Sequence, residues 1–324
     1  MDDKQSPSGY HLNKKFLLGG EGGWDYLTVD DASRRLYVTH NDRVHVLNAD
    51  TLNLIGEVTK TEGIHGVAIA SEFGRGFTSN GRASTVSIFD LNTLKVIGEI
   101  AVGRNPDAIR FDPFSKRVFV FNGISHDASV IDAATGELIA TIPLGGKPEF
   151  SVADGLGHVY VNNEDTSAVM TIDSKTLEIL SNWPISPGES PTGLAIDTEN
   201  RRLFSVCRNK LMIVLDADDG TILTSLPIGG GCDGCIFDPE RKLAFSSNGE
   251  GTMTIVREES STFFTVLGTV DTQRGARTMT IDLKTHSLFL PTAEYGPTPQ
   301  PTAEQPKPRP PVLPNTFVIL QIQK

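Results

Sequence analysis

Ile109-Arg110-Phe111-Asp112-Pro113-Phe114-Ser115-Lys116-Arg117-Val118-Phe119-Val120 reads as a short strand, a tight Asp-Pro turn and a second strand. The same phrase returns along the chain. Apolar runs at Leu36-Tyr37-Val38, Gly76-Phe77, Val118-Phe119-Val120, Val159-Tyr160-Val161, Leu203-Phe204, Leu243-Ala244-Phe245 and Leu288-Phe289 recur at spacings of 40–45 residues. They follow turns that usually hold an Asp, as in Val29-Asp30-Asp31, Ile196-Asp197 and Phe237-Asp238-Pro239. Third strands such as Ser87-Ile88-Phe89 and Met212-Ile213-Val214-Leu215 come next, rich in the β-branched and large apolar residues that buried strands favour. A Thr-Leu or Thr-Gly turn then leads into a fourth strand. Seven such units predict an all-β chain: a seven-bladed β-propeller with four-stranded antiparallel blades.

The seventh unit ends early. Its third strand is expected over 316–322, and the chain stops two residues later. The N-terminal segment 11–18 has the pattern of an outer strand. It is predicted to complete the last blade and clasp the ring, because an open blade would expose unpaired strand edges. A proline-rich insertion, 291–314, separates the middle and third strands of that unit and should not join a sheet. It reads either as a surface loop across one face or as a lid or docking segment.

Length alone, 324 residues, would suggest two domains. The repeat overrides this, and residues 1–324 are expected to form one propeller domain. A formal net charge of −11 argues against nucleic acid and anionic membrane surfaces as partners. No apolar run is long enough for a membrane span. Met1-Asp2-Asp3-Lys4 opens polar, unlike a signal peptide. Of three cysteines, Cys235 falls at an inner-strand core position, whereas Cys207 and Cys232 lie near one face, where a disulfide is conceivable on spacing.

Registering the units exposes a ring. Five residues before the turn position that closes each inner strand stand Asp25, His65, Asp107, Glu149, Thr192, Asp233 and Arg277. Every one is polar, and inner strands line a propeller's central channel. Side chains alternate along a strand, so these positions should share a face and gather at one channel mouth. Loops leaving the middle strands add His40, Asn122, Asn163 and Arg208 to the same face. Two readings stand. The ring is structural polar chemistry, or its carboxylates, which repel one another, hold a divalent cation. Oxygen ligands favour calcium or magnesium, and the histidines favour zinc. For the second reading the expected ligands are His65, Glu149 and Asp233. His65 or Glu149 would be the catalytic base of a metal-dependent hydrolase or lactonase. Asp25, His40, Asp107, Asn122, Asn163, Arg208 and Arg277 are the expected ligand-binding residues. The expected partner is a small molecule or a protein at the mouth, and a monomer is expected.

Leu36-Tyr37-Val38-Thr39, Val159-Tyr160-Val161-Asn162, Gly103-Arg104-Asn105-Pro106-Asp107-Ala108-Ile109 and Gly145-Gly146-Lys147-Pro148-Glu149 resemble the YVTN family of β-propeller repeats. Along its whole length the chain is similar to YncE-like proteins. The resemblance implies a periplasmic or secreted location and a binding function. A more distant likeness, of architecture only, is to gluconolactonase-type propellers, which hold a divalent metal at the channel mouth. Glu149, Asn122, Asn163 and Asp233 are residue types that would match.

Overall fold

The computed structural model describes residues 8–302, 305–306 and 308–324. The first seven residues, and residues 303, 304 and 307 of the proline-rich segment, lie outside the described residues. Strands account for nearly all regular structure. The one helical element among the described residues is a 3-10 turn at Ser71–Phe73.

Seven antiparallel four-stranded sheets follow one another in chain order. Strand β1 is His11–Leu17. Blade 1 comprises β2 (Trp24–Asp30), β3 (Arg35–His40), β4 (Arg43–Asn48) and β5 (Leu54–Thr59). Blades 2 to 6 repeat this plan from inner strands β6 (Ile64–Ala70), β10 (Pro106–Asp112), β14 (Pro148–Ala153), β18 (Pro191–Asp197) and β22 (Cys232–Asp238). Blade 7 has β26 (Thr280–Asp282), β27 (Ser287–Thr292) and β28 (Val318–Gln323), and β1 forms its outer strand. Register runs from His11 opposite Gln323 to Leu17 opposite Val318, which closes the ring as expected from the sequence.

Two sequence expectations need correction. Pro291 does join a sheet: it lies in β27, opposite Ile319, so the insertion proper begins after Thr292. A bridge between Tyr295 and Val312 joins the two arms of the insertion at its base. Tyr295 packs against Trp24, and Trp24 against Phe317. The cysteines form no disulfide: Cys207, Cys232 and Cys235 are all free and buried.

A propeller has no single central core. Seven hydrophobic clusters lie between neighbouring blades instead. One joins Phe245 and Met253 to Leu288 and Leu320, and another joins Trp24 and Leu36 to Phe289 and Phe317 across the seam between the last blade and the first. Burying these β-branched and aromatic side chains is the main driving force for stacking the blades.

Ion pairs repeat with the same geometry. In every blade but the second, where Ala70 stands, the turn closing the inner strand begins with a carboxylate that accepts a backbone N–H two residues on, as Asp112 does from Phe114. The residue just before the second strand has positive φ: Arg34 (55°), Lys116 (62°), Arg201 (58°), Lys242 (53°) and His286 (56°). From that position each side chain reaches back to an acid of the preceding blade. The pairs are Arg34–Asp282, Lys116–Glu72 (2.8 Å), Arg201–Asp154 (2.8 Å), Lys242–Asp197 (3.4 Å) and His286–Asp238 (2.7 Å). Blades 2 and 4 carry Gly74 and Gly157 there, also at positive φ, where glycine costs least. These two interfaces lack the pair.

Arg34 donates both Nη1 (2.7 Å) and Nη2 (2.5 Å) to the fully buried Asp282, across the seam. Burial works to raise that carboxyl, but hydrogen bonds from Arg34 and Thr285 overcome it and hold Asp282 well below the ordinary range. Arg34→Met would strand a buried charge and is expected to cost about 3–5 kcal/mol in chemical denaturation. Lys116→Met breaks an exposed pair and is expected to cost less than about 1 kcal/mol. Equal costs would contradict the account. Deleting residues 11–17 should abolish cooperative unfolding altogether.

Candidate functional site

The channel mouth is built by an irregularity. In the first six blades the inner strand slips register against its neighbour at the ring position: between Trp24 and Leu27, Ile64 and Gly66, Pro106 and Ile109, Pro148 and Ser151, Pro191 and Leu194, and Cys232 and Gly234. Each slip admits one extra residue, a bulge, which re-aims side chains. Simple alternation therefore does not hold there. The bulge, rather than the pleat, presents Asp25, His65, Asp107, Glu149, Thr192 and Asp233. In the seventh blade Arg277 precedes the short β26 altogether.

Five of the seven ring residues join into one chain of alternating charge. Arg277 donates Nε to Asp233 (2.8 Å) and Nη2 to Asp25 (3.4 Å). His65 Nδ1 lies 2.6 Å from the other oxygen of Asp25 and 3.6 Å from Asp107 Oδ1. The order around the ring is thus Asp233, Arg277, Asp25, His65, Asp107, from blade 6 through the seam to blade 3. Thr278 and Thr39 fix the backbone beneath it, with Thr278 donating to Asp25 O (2.6 Å) and Thr39 to Tyr26 O (2.9 Å). Gly81 lets the His65 ring sit close, since a Cβ there would fall 2.6 Å from Nε2.

Asp107 ends the chain, and its Oδ1 is buried without a hydrogen bond. Beside it stands Glu149, held by Lys147 Nζ at 2.6 Å; Lys147 also bonds Glu164, and Arg208 Nε meets Glu164 at 2.5 Å. Thr192 takes no part in these charges: its hydroxyl donates to Cys232 O (3.0 Å).

Burial opposes the charged form of His65, yet the Asp25 hydrogen bond and the nearby Asp107 charge outweigh it and bring the imidazole to about 9. Burial, partly offset by His65, raises Asp107 to about 6. Burial, Asp107 repulsion and a hydrogen bond with Glu164 raise Glu149 to about 9 despite Lys147. Burial also raises Asp233, against Arg277. At neutral pH the ring therefore sets one imidazolium and one guanidinium among its acids and keeps Glu149 protonated.

The mouth is blind. Tyr26 from blade 1 and Phe150 from blade 4 meet across the channel, ring centroids 5.0 Å apart. These residues immediately follow ring positions, and their size in two blades, where the others have Gly, Ala or Thr, was the available signal. Sequence reasoning missed them, and it missed Lys147, two residues before Glu149. At the rim a recess of about 210 Å³ is lined by Asp25, His65 and Arg277 together with Trp24, Asn41 and Gly63.

Several sequence-predicted residues stand elsewhere. His40 is buried and stacks on Phe317 at 4.1 Å, with Nδ1 3.2 Å from His45 Nε2. Burial and the neighbouring His45 and Arg43 push it down to about 4, so it is a neutral core residue rather than a ligand-binding one. Asn122 is also buried, its amide donating to Asp127 (2.6 Å) and Ser129 (3.0 Å). Asn80 and Asn248 make the same turn-holding bonds, so Asn122 belongs to the fold. Asn163 is fully buried, with both amide atoms unpartnered. Arg208 is at the mouth, more than half exposed.

The metal set His65, Glu149 and Asp233 is not brought together, because Lys147 and Arg277 engage the two acids. The group whose ligand atoms all lie within 4.8 Å of one another is Asp25, His65 and Asp107. Those residue types suit a divalent ion, but the spacing suits a proton. Two ligands 2.0–2.2 Å from a tetrahedral ion stand roughly 3.3 Å apart. His65 and Asp25 are closer, at 2.6 Å.

No protein-family model matches the chain, and no curated protein matches it. Solved structures do. The WD40 repeats of RRP9 superpose with a TM-score of 0.78 at 9% identity, covering 95% of this chain and 97% of that one. U3-55K gives 0.77 at 9% identity, covering 94% and 97%. Such identity bears on the fold alone. The chain is a seven-bladed β-propeller with WD40-repeat structural neighbours.

The pKa shifts set a pH dependence. Because the folded state binds the His65 proton more tightly than the unfolded chain, this stabilisation is complete below about pH 6.5 and is lost as pH rises through 9. His65→Gln is expected to be less stable than wild type at pH 6, with the gap closing by pH 9.5. Glu149→Gln should instead gain on wild type as pH rises from 5 to 9, since ionising a buried carboxyl becomes increasingly costly. Denaturation midpoints across that range check both, and pH-independent gaps would contradict them.

Proposed function

We propose that the protein is a YVTN-type binding propeller whose channel mouth captures a cationic group. The group is an ammonium or guanidinium, on a small molecule or on a side chain of a partner protein. One observation carries this reading: the alternating charge chain ends at Asp107, whose buried Oδ1 has no donor, beside a Glu149 that burial and Asp107 repulsion keep protonated despite Lys147. A cation placed there would supply the missing donor and let Glu149 ionise. Arg208, with only Nε in an ion pair, and the Tyr26–Phe150 floor complete a cup that orients a polar ligand. The repeat sequences support the YVTN assignment, and with that resemblance goes a periplasmic or secreted location.

Capture of a cation by a protonated carboxyl releases a proton. Calorimetric titration with methylguanidinium at pH 7.5, in buffers of different ionisation enthalpy, should show proton release and saturable binding. Asp107→Asn should weaken it by about tenfold or more, the equivalent of one charge-assisted hydrogen bond. Absence of binding, or equal binding by Asp107→Asn, would refute the reading.

The second reading is a metal-dependent hydrolase of lactonase type, favoured by the close Asp25, His65 and Asp107 group. A divalent ion held there would polarise a carbonyl. Asp25 would have to draw away from His65 to share the ion. Elemental analysis of chelator-free protein and of Asp25→Asn decides it: stoichiometric metal lost in the variant supports the hydrolase, and metal-free wild type rejects it.

Among the described residues, no helix is long and apolar enough to cross a membrane.

A further inference from the structure

The interface between blades 4 and 5 is built from residues unlike those of its neighbours. One difference lies where the second strand begins, on the face opposite the mouth. Arg35, Arg75, Arg117 and Arg202 stand there in blades 1, 2, 3 and 5. Each donates to a carbonyl of the next blade: Leu91 O, Ala133 O, Ser174 O and Ser261 O respectively. Blade 4 has His158, whose Nδ1 turns back to Asp154 of its own blade at 3.0 Å. The Tyr160 hydroxyl makes the bond between blades instead, donating to Ala217 O at 3.0 Å.

A second difference lies in the turn into the fourth strand. Leu52, Leu94 and Leu177 occupy its left-handed position in blades 1, 2 and 4, and each packs onto the preceding blade. Blades 3 and 5 have Gly136 and Gly220 there. Ile88 fills the space beside Gly136, and Trp183 of blade 4 lies beside Gly220, where a Cβ would fall 2.2 Å from its Cγ.

The third difference is a cross-strand row. Val46, Ile88, Val130, Val214 and Ile255 face Gly56, Gly98, Ala140, Thr224 and Gly268 in the other blades that share the plan. In blade 4 the same pair is Thr171 and Ser181. Both hydroxyl oxygens are buried without a hydrogen bond, an arrangement that costs about 1–3 kcal/mol per group. Thr171 and Ser181 line a recess of about 230 Å³ with Tyr160, Trp183, Arg201 and Asp218, among others. Its cation is already engaged: Arg201 is held by Asp154 (2.8 Å) and Asp218 Oδ1 (2.9 Å). Asp219, at the rim, accepts the Thr221 N–H at 2.8 Å. Among the described residues, the two hydroxyls, the Trp183 indole N–H and the second oxygen of Asp218 have no partner. These groups both donate and accept, and they surround an aromatic ring.

We propose that this recess binds a neutral, hydroxylated ring of hexopyranose type. The C–H face of the sugar lies against Trp183, and its hydroxyls meet Thr171, Ser181 and Asp218 Oδ2. A hydroxyl can donate and accept at once, which suits a wall of unpartnered hydroxyls and a carboxylate oxygen better than an ion would. An aromatic surface with a few convergent polar groups is the usual composition of a small-molecule site. The recess is remote from the mouth, so its success or failure says nothing of the cation reading.

The test is titration of the full chain with the methyl glycosides of glucose, galactose and mannose, following the Trp183 indole 15Nε1–1Hε1 signal. The chain's other tryptophan, Trp24, borders the mouth and is the internal control. At least one glycoside is expected to shift Trp183 saturably and leave Trp24 unmoved. Thr171→Val with Ser181→Ala recreates the Val130–Ala140 pair of blade 3, so it should fold, and it should weaken binding about tenfold or more. If that variant fails to fold, Asp218→Ala serves, since Asp218 is largely exposed in its turn. Cyclohexanol, a ring with a single hydroxyl, should give no saturable shift. No saturable shift with any of the three glycosides, a shift shared by Trp24, equal binding of cyclohexanol, or undiminished binding by the folded variant would each overturn the proposal.

Discussion

Everything in this molecule depends on closing the ring where its two ends meet. β1 pairs with β28 to finish the last blade, and the Arg34–Asp282 ion pair and the Trp24, Phe289 and Phe317 cluster bind that blade to the first. These contacts join the most distant parts of the chain, so the loop-closure entropy against them is the largest in the fold. The candidate site crosses the same seam. Asp25 of the first blade is held by Arg277 of the seventh, and the charge chain that reaches His65 and Asp107 passes through that bond. Stability and site geometry therefore share one joint.

The mouth shows how a repeat acquires chemistry. The bulges do the same thing in six blades, yet the residue each one presents differs. The series Asp, His, Asp, Glu, Thr, Asp, closed by Arg277, places His65 and Arg277 between acids over half the ring, while in the other half Lys147 and Arg208 approach Glu149 and Glu164 from outside the ring positions. Burial then decides the outcome. Where a base lies between two acids, as His65 does, it is held charged. At Glu149 burial and repulsion from Asp107 prevail, and the carboxyl keeps its proton even though Lys147 bridges it to Glu164. That asymmetry is what a cationic group would relieve.

The fold was legible because its signal is repeated seven times and fixed by turn chemistry. Asp112-Pro113 and its counterparts announce where inner strands end, and the absence of a fourth strand after β28 shows that residues 11–17 must supply it. Ring membership was legible for the same reason: counting back from the turn finds Asp25, His65 and Asp107 without knowledge of the bulge. Partnering was not. Whether His40 faces the mouth or Phe317 depends on packing across the seam, which no spacing encodes. Asn122 carries the same residue type in either role, and only its bonds to Asp127 and Ser129 assign it to the turn. The expected metal set is not gathered in one place, since Lys147 and Arg277 pair with Glu149 and Asp233, and pairing of that kind is a three-dimensional fact.

The ring limits its own negative charge by holding protons on His65 and Glu149. The most direct measurement is an NMR pH titration of the His65 ring nitrogens and the Glu149 side-chain carboxyl. The account predicts that both keep their protons through neutral pH and release them near 9. Titration of His65 near 6.5 and of Glu149 near 4.5 would contradict it.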